Sequence, residues 1–409
     1  MSEYINVKYY IETYEDIEKI SGLIAKMQST GTWKEVPGEK QEKLERFSAY
    51  VEKIEKTGKK EKFELPTRYN GKKKEVECGY VYIKYPYKNF KNKISMLLST
   101  VAGEVFDMQE LTAVKVMDID FPDEYLKAFH GPKFGVEGTR EIVKVYDRPF
   151  FGAIIKPCVG LTSAEISELA YEVARAGADF IKDDELLANP EYNTVKERTV
   201  AVAQALKKAY EETGRVTMYA FNITDDPDEV IILHDIVKKN GGKAVMFNVL
   251  AGGFSVLNKL SKHTELPIHC HRDFSVATFR SGYLGISSGL FTKLTRLCGG
   301  DQIQCGGIAG YIYEKDDEIL ENVNICTSEF GNIKKSLPVI SGGMWAGKLP
   351  INLRKIGNNN FLFLCGGGVF SHPSGPYAGI KSPYSAYYAY KKNIKLANFD
   401  CDYLKRAIE

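Results

Sequence analysis

From residue 150 onward, short apolar segments of strand character return eight times, and a helical pattern follows most of them. They lie at 152–157, 178–183, 215–221, 243–249, 266–271, 301–305, 337–342 and 361–366, with helical stretches such as 163–176 and 227–240 between. Continuous apolar runs are what parallel strands buried on both faces require, and each parallel pair needs a crossover connection. Eight such units between residues 150 and 409 have the size and rhythm of a (β/α)8 TIM barrel. A doubly wound open sheet also alternates strand and helix but rarely runs to eight even units. No GxGxxG follows an early strand, which argues further against it.

The preceding residues alternate differently. Strand patterns at 5–10, 47–55, 76–85 and 113–120 are interleaved with helical patterns at 14–27 and 94–101. The Lys-rich stretch 57–74, with Gly58 and Gly71 near its ends, reads as a hairpin connection. This order predicts a ferredoxin-like α+β domain. The Gly-Pro-Lys-Phe-Gly run at 131–135 marks the change, giving an N-terminal domain at 1–135 and a catalytic barrel at 136–409.

Charge and cysteine usage narrow the surroundings. Lys and Arg total 55 against 53 Asp and Glu, a net charge of +2, which gives no reason to expect nucleic acid or an anionic membrane as partner. No apolar run approaches the roughly 20 residues that span a bilayer, and Met1-Ser2-Glu3-Tyr4 lacks a basic-then-apolar secretion signal. The eight cysteines include no CxxC pair, and several sit in apolar strands, so they read as reduced thiols of a cytoplasmic protein.

A TIM barrel builds its active site at the C-terminal ends of the strands. Polar residues fall there repeatedly: Lys156, Lys182-Asp183-Asp184-Glu185, Asn248, His269 and His271 with Arg272, Gln304, Ser341-Gly342-Gly343 and Gly366-Gly367-Gly368. Taken singly, each has a plain explanation: a solvated strand end, a satisfied core histidine, a turn. Their convergence on one rim is the signal. Asp184 and Glu185 offer hard oxygens suited to Mg²⁺, with no Cys or His cluster favouring zinc. Lys182 cannot ligate as an ammonium; it can pair with the carboxylates or be converted by CO₂ to a carbamate that supplies a further anionic oxygen. The glycines after strands seven and eight stand where barrels bind phosphate through backbone N–H groups. Arg272 offers a second anion site, or else pairs with Asp273 or another rim carboxylate. Lys156 can move protons if its pKa is lowered. These residues point to Mg²⁺-dependent enolate chemistry on a phosphorylated carbonyl compound.

The chain resembles the large subunit of ribulose-bisphosphate carboxylase (RuBisCO) and, more closely, the RuBisCO-like proteins of form IV type. The resemblance rests most heavily on Gly177-Ala178-Asp179-Phe180-Ile181-Lys182-Asp183-Asp184-Glu185, similar to the family's activating-lysine motif. It implies a carbamylated Lys182 that joins Asp184 and Glu185 in holding Mg²⁺. Ile154-Ile155-Lys156-Pro157 resembles the segment with the proton-shuttling lysine. His269-Cys270-His271-Arg272 resembles the one supplying a catalytic histidine, His271, and a phosphate-binding arginine. Ser341, Gly342, Gly343, Gly366 and Gly367 match the phosphate-binding turns. Ser29-Thr30-Gly31-Thr32-Trp33 is similar to the segment whose Thr32 and Trp33 positions contact the phosphate of a neighbouring subunit's substrate. The resemblance therefore implies a homodimer, or a higher oligomer, with shared active sites.

The departures bear on activity. The loop after strand six carries Tyr311 where RuBisCO has a lysine that stabilises the carboxylation transition state; Cys158 replaces a second lysine, Gln304 a histidine, Met27 a glutamate and Glu104 an asparagine. Losing a positioned cation typically costs several kcal/mol of barrier, so CO₂ fixation is not expected while enolisation is. The segments 343–347 and 368–376 look closest to the group acting on 3-oxo-isoapionate 4-phosphate by decarboxylation or hydrolytic cleavage. The expected activity is thus a carbon–carbon lyase on a phosphorylated sugar acid. Alternatives are the 2,3-diketo-5-methylthiopentyl-1-phosphate enolase of methionine salvage, a sugar-phosphate isomerase, or a non-catalytic homologue.

Overall fold

The computed structural model describes residues 4–32, 40–67 and 75–408. The chain divides into two units, Met1–Phe129 with Phe274–Leu294, and His130–Asp273 with Thr295–Glu409.

The first unit is built on a five-stranded sheet in the order Leu284–Ile286, Leu111–Asp120, Tyr4–Thr13, Val76–Pro86, Tyr50–Lys60. All neighbours are antiparallel except the first pair. Ile5, Val7, Tyr9 and Ile11 are fully buried at every second position, as a strand with one face on a core demands. Helix Ile17–Met27 answers with Ile17, Ile20 and Ile24 at i, i+3 and i+7, and starts where the Asp16 side chain accepts the Lys19 N–H. Helix Ile94–Val101 buries Ile94, Leu97 and Val101.

Three features differ from the sequence reading. Residues Thr57–Lys60 extend strand Tyr50–Lys60 rather than lying in its connection, of which 68–74 fall outside the described residues. Helix Gln41–Phe47 buries no residue, so it left no apolar period to read. Strand Leu284–Ile286, expected within the barrel stretch, pairs in parallel with Leu111–Asp120, and its segment belongs to the first unit. Three residues cannot display an alternation.

In the second unit eight parallel strands close into a barrel: Phe150–Ile154, Phe180–Lys182, Met218–Asn222, Ala244–Asn248, Ile268–His271, Gln302–Gln304, Leu337–Ile340 and Leu362–Cys365. Closure is made by Leu362–Cys365 pairing with Phe150–Ala153. The inward side chains of six strands, Phe150, Phe180, Met218, Ala220, Ala244, Met246, Leu337, Val339, Leu362 and Leu364, form one core cluster with Val136 and Val143 of helix Gly135–Val143. Period two then fixes what stands above that core. If Phe180, Ala220, Met246 and His269 point inward, so do Lys182, Asn222, Asn248 and His271, one layer nearer the C-terminal rim.

Candidate functional site

Strand two delivers the charged group. Lys182 is fully buried, and its Nζ donates to the Asp183 carbonyl at 2.9 Å and to Glu185 Oε2 at 3.1 Å. Burial pulls its pKa below the ordinary lysine range, against Glu185 and Asp184, which push it up. An amine that sheds its proton more readily than usual is the nucleophile that carbamate formation needs.

The Asp183 side chain has no part in this. Its Oδ2 accepts from Arg198 Nε at 3.0 Å and from the Asn222 N–H at 2.8 Å, and its Oδ1 accepts from the Tyr219 hydroxyl at 2.6 Å. Asp183 and Arg198 are both fully buried, so this carboxylate anchors the strand end.

Asp184 lies 2.6 Å from Lys156 Nζ, which also donates to Cys158 Sγ at 3.0 Å. Burial favours the neutral amine, yet Asp184 and Cys158 outweigh it, and Lys156 is held above the ordinary lysine range. The sequence reading gave Lys156 a proton-moving role on a lowered pKa; here it is an ammonium, a proton donor, because its carboxylate neighbour is at hydrogen-bond distance.

Glu185 closes the group. Burial would raise its pKa, but Lys182 and then His271 outweigh that and hold it at about 2. His271 Nδ1 accepts the Asp273 N–H at 3.0 Å, which leaves the ring proton on Nε2, facing Glu185 Oε2 at 3.4 Å. Burial, helped by Lys182, keeps His271 neutral far below the ordinary histidine range. His269 is a core residue: its Nδ1 meets Gln302 Oε1 at 3.2 Å, its ring lies 5.0 Å from that of Phe180, and burial lowers its pKa to about 3.

Two asparagines complete the layer: sequence reasoning placed Asn248 on the rim and did not name Asn222. Asn222 Nδ2 donates to the Glu185 carbonyl at 3.1 Å, and Asn248 Nδ2 donates to the same oxygen at 3.0 Å. Both hold the turn that aims Asp184 and Glu185. Asn248 Oδ1 is buried with no hydrogen-bond partner. The available signal was the inward parity shared with Lys182 and His271.

The donor set suits Mg²⁺. Asp184 and Glu185 supply carboxylates, and the orphaned Asn248 oxygen is the kind of buried polar atom that a cation or its water shell would satisfy. Without a metal the two lysines balance the two carboxylates. With Lys182 as a carbamate the cluster carries three negative charges against Lys156, a deficit that one divalent cation removes. The residues fit.

The anion-binding candidates are distributed. Gly342 and Gly343 have φ of +93° and +75°, left-handed values that favour glycine, and a Cβ on Gly343 would collide with the Tyr311 ring. Ser341 Oγ donates to Gln304 Oε1 at 3.2 Å. Gly366 lies against the Lys156 side chain and opens the single helical turn Gly367–Phe370, which brings strand eight's turn to strand one's lysine. Arg272 forms an ion pair with Glu314, a rim carboxylate that is almost fully buried and also accepts from Asn322 Nδ2 at 3.2 Å. The arginine's charge is therefore matched within the protein. Among residues of the first unit, Met27 and Glu104 line one cavity of 720 Å³ together with Leu65, Thr67 and Phe106. Thr32 is exposed, and Trp33 lies outside the described residues.

Comparison with known proteins gives a consistent result. The model of the ribulose bisphosphate carboxylase large chain catalytic domain matches residues 135–409, and that of its N-terminal domain matches 3–125. A ribulose bisphosphate carboxylase-like protein of Chlorobaculum tepidum is 38% identical over 97% of this chain and 91% of its own length. A 3-oxo-isoapionate-4-phosphate decarboxylase of Rhizobium rhizogenes is 35% identical over 98% of this chain and 96% of its own. The crystal structure of a rubisco-like protein from Burkholderia fungorum superposes with a TM-score of 0.92 at 33% identity, covering 100% of this chain and 99% of that one.

Proposed function

The chain belongs to the ribulose bisphosphate carboxylase large-chain family, and on that premise we propose that it is a Mg²⁺-dependent lyase forming an enediolate from a phosphorylated keto sugar acid. The substrate we assign is 3-oxo-isoapionate 4-phosphate, decarboxylated or cleaved, with no net fixation of CO₂. One observation carries the proposal: on one rim Lys156 pairs with Asp184 while Lys182 and His271 both face Glu185, the residue next in sequence. The whole-length similarity to a decarboxylase of that compound supports the substrate.

Lys182 as a carbamate, Asp184 and Glu185 would hold Mg²⁺, which when bound would stabilise negative charge developing on the substrate oxygens. The glycine turns at Gly342-Gly343 and Gly366-Gly367 would take the phosphate. In a β-keto acid the carbon–carbon bond to the carboxylate breaks, CO₂ leaves, and its bonding electrons pass to the enediolate. Lys156, an ammonium in this environment, then returns a proton to carbon. His271 Nε2–H keeps Glu185 oriented, and its neutral ring adds no charge to the site. Tyr311 in place of a lysine removes the cation that carboxylation requires. In this reading Thr32 and Trp33 serve the site of a second copy, so the active species is a homodimer.

Arg272 separates this substrate from its rival. A sugar-acid carboxylate must compete with Glu314 for the guanidinium, whereas the methylthio diketone phosphate presents an apolar tail and would leave the Arg272–Glu314 pair intact. That pairing favours the salvage enolase as the second reading. The test offers both phosphates to the purified enzyme and repeats the assay with Arg272→Ala. The first reading requires CO₂ or a carboxylated fragment from the sugar-acid phosphate, activity in the dimer fraction, and a loss of about 1.5–3 kcal/mol in kcat/KM on mutation. Turnover of the methylthio compound alone, unchanged in the variant, replaces it with the enolase.

A further inference from the structure

Away from the rim, the outer helices Glu229–Lys239 and Phe254–His263 bring together His234, Asp235 and His263. His234 Nδ1 lies 2.9 Å from Asp235 Oδ1, and His263 Nε2 lies 2.7 Å from the same oxygen. One ligand atom from each falls within 4.8 Å of the others.

The hydrogen-bond network around His234 makes this more than a surface cluster. Thr264 Oγ1 lies 2.6 Å from the Leu266 carbonyl, a pure acceptor, so the single hydroxyl proton is committed there. The same oxygen accepts from the Leu266 N–H at 3.0 Å and stands 2.9 Å from His234 Nε2. With its own proton used, Thr264 accepts from that ring nitrogen in the tautomer that carries its hydrogen on Nε2. The Glu265 N–H also donates toward Nε2, at 3.4 Å, and suits the other tautomer. In the Nε2–H tautomer, neutral His234 turns its Nδ1 lone pair toward the Asp235 carboxylate, a repulsive arrangement. A cation between them removes the repulsion. His234 is almost fully buried, so meeting that need with a proton means burying an imidazolium.

We propose that His234 Nδ1, His263 Nε2 and the Asp235 carboxylate bind a divalent transition metal of the zinc class, with water completing the shell at the exposed side. Two imidazoles and a carboxylate are a borderline-soft set suited to Zn²⁺ or Co²⁺ rather than Mg²⁺. A ligating histidine that donates its other N–H to a fixed acceptor has the tautomer and orientation such sites use. Glu265 does not compete, since it is paired with Lys238. The metal would clip together the two helices that follow barrel strands three and four, separate from the Lys182 cluster.

The test uses full-length Asp184→Ala protein, stripped with chelator and kept in excess Mg²⁺, so that the rim cluster does not contribute. Co²⁺ is added as the probe, and visible absorption is read with equilibrium metal content. The site requires one Co²⁺ per chain with a low-symmetry d–d band. His263→Ala, at a surface position, should weaken Co²⁺ binding by more than about 100-fold. Thr264→Val, which removes only the outer partner, should weaken it by about 10–100-fold. Zn²⁺ should displace Co²⁺ and raise Tm in the Asp184→Ala protein but not after His263→Ala is added. No stoichiometric Co²⁺ in the Asp184→Ala protein, or equal binding with and without His263→Ala, overturns the proposal.

Discussion

The two ends of the barrel both bury carboxylates, and they use them in opposite ways. At the N-terminal end Asp179 accepts from both terminal nitrogens of Arg148 and from the Phe151 N–H, while Asp301 accepts the N–H groups of Phe134, Gly135 and Ile268. Those partners are guanidinium and backbone, which cannot leave without unfolding the neighbourhood. At the C-terminal end Asp184 and Glu185 are held by lysine amines, one of them partly exposed. An amine can rotate away, lose a proton or become a carbamate. Charge that is permanently matched holds a fold, and charge whose partner can be exchanged is available for chemistry.

The sharpest way to break that contrast is Asp184→Asn, which keeps the shape and removes the charge. Turnover should fall by at least about 10²–10³-fold, the loss associated with one preorganised charge-stabilising group. Tm should move far less than in an N-terminal-end variant. The parent enzyme should need Mg²⁺ and CO₂ together; full activity after both have been rigorously removed would eliminate the carbamate assignment.

Asp179→Asn is the opposite case. It leaves Arg148 buried against a neutral amide, and breaking a buried pair this way costs roughly 3–5 kcal/mol of stability. Urea unfolding should show that loss, while kcat of the folded fraction at low temperature stays at the parent value. A kcat loss comparable to that of Asp184→Asn, with stability intact, would mean the two ends are not divided as described.

How much of this could be read in advance follows from the same physics. The eight barrel strands were legible because strands buried on both faces are apolar throughout, whatever lies around them. Lys182, Asp184, Glu185, Lys156 and His271 were legible because ionisable residues at the end of such strands have no packing reason to be there. Asn222 was missed, and Asn248 was placed on the rim without a role, because amides at strand ends look like ordinary turn residues, and only the closed barrel's parity shows both facing inward. Glu314 was missed as the partner of Arg272 because 42 residues separate them and no local pattern links them. Strand Leu284–Ile286 owes its existence to a partner some 170 residues earlier in the chain.

The smallest effect concerns pH. Glu185 has its pKa held at about 2, against about 4.3 for an unperturbed glutamate. A carboxylate lowered on folding adds stability that is fully present above its unfolded pKa and is lost as pH falls toward the folded one. The contribution is at most about 3 kcal/mol by linkage, and less to the extent that the partly exposed side chain is screened. Its partner through this window is the Lys182 amine, 3.1 Å away. Metal-free parent and Glu185→Gln proteins should therefore differ in unfolding free energy by a constant amount above about pH 5. The difference should shrink steadily between about pH 4.3 and pH 2 as the parent's carboxylate takes up its proton. The same experiment on Asp184→Asn and Asp179→Asn gives the scale on which the Glu185 window is judged. A parent–variant difference that does not change between pH 6 and pH 2.5 would mean that Lys182 does not hold Glu185 as an ion pair. The rim would then be a neutral hydrogen-bonded cluster, closer in kind to the fixed end of the barrel than the geometry indicates.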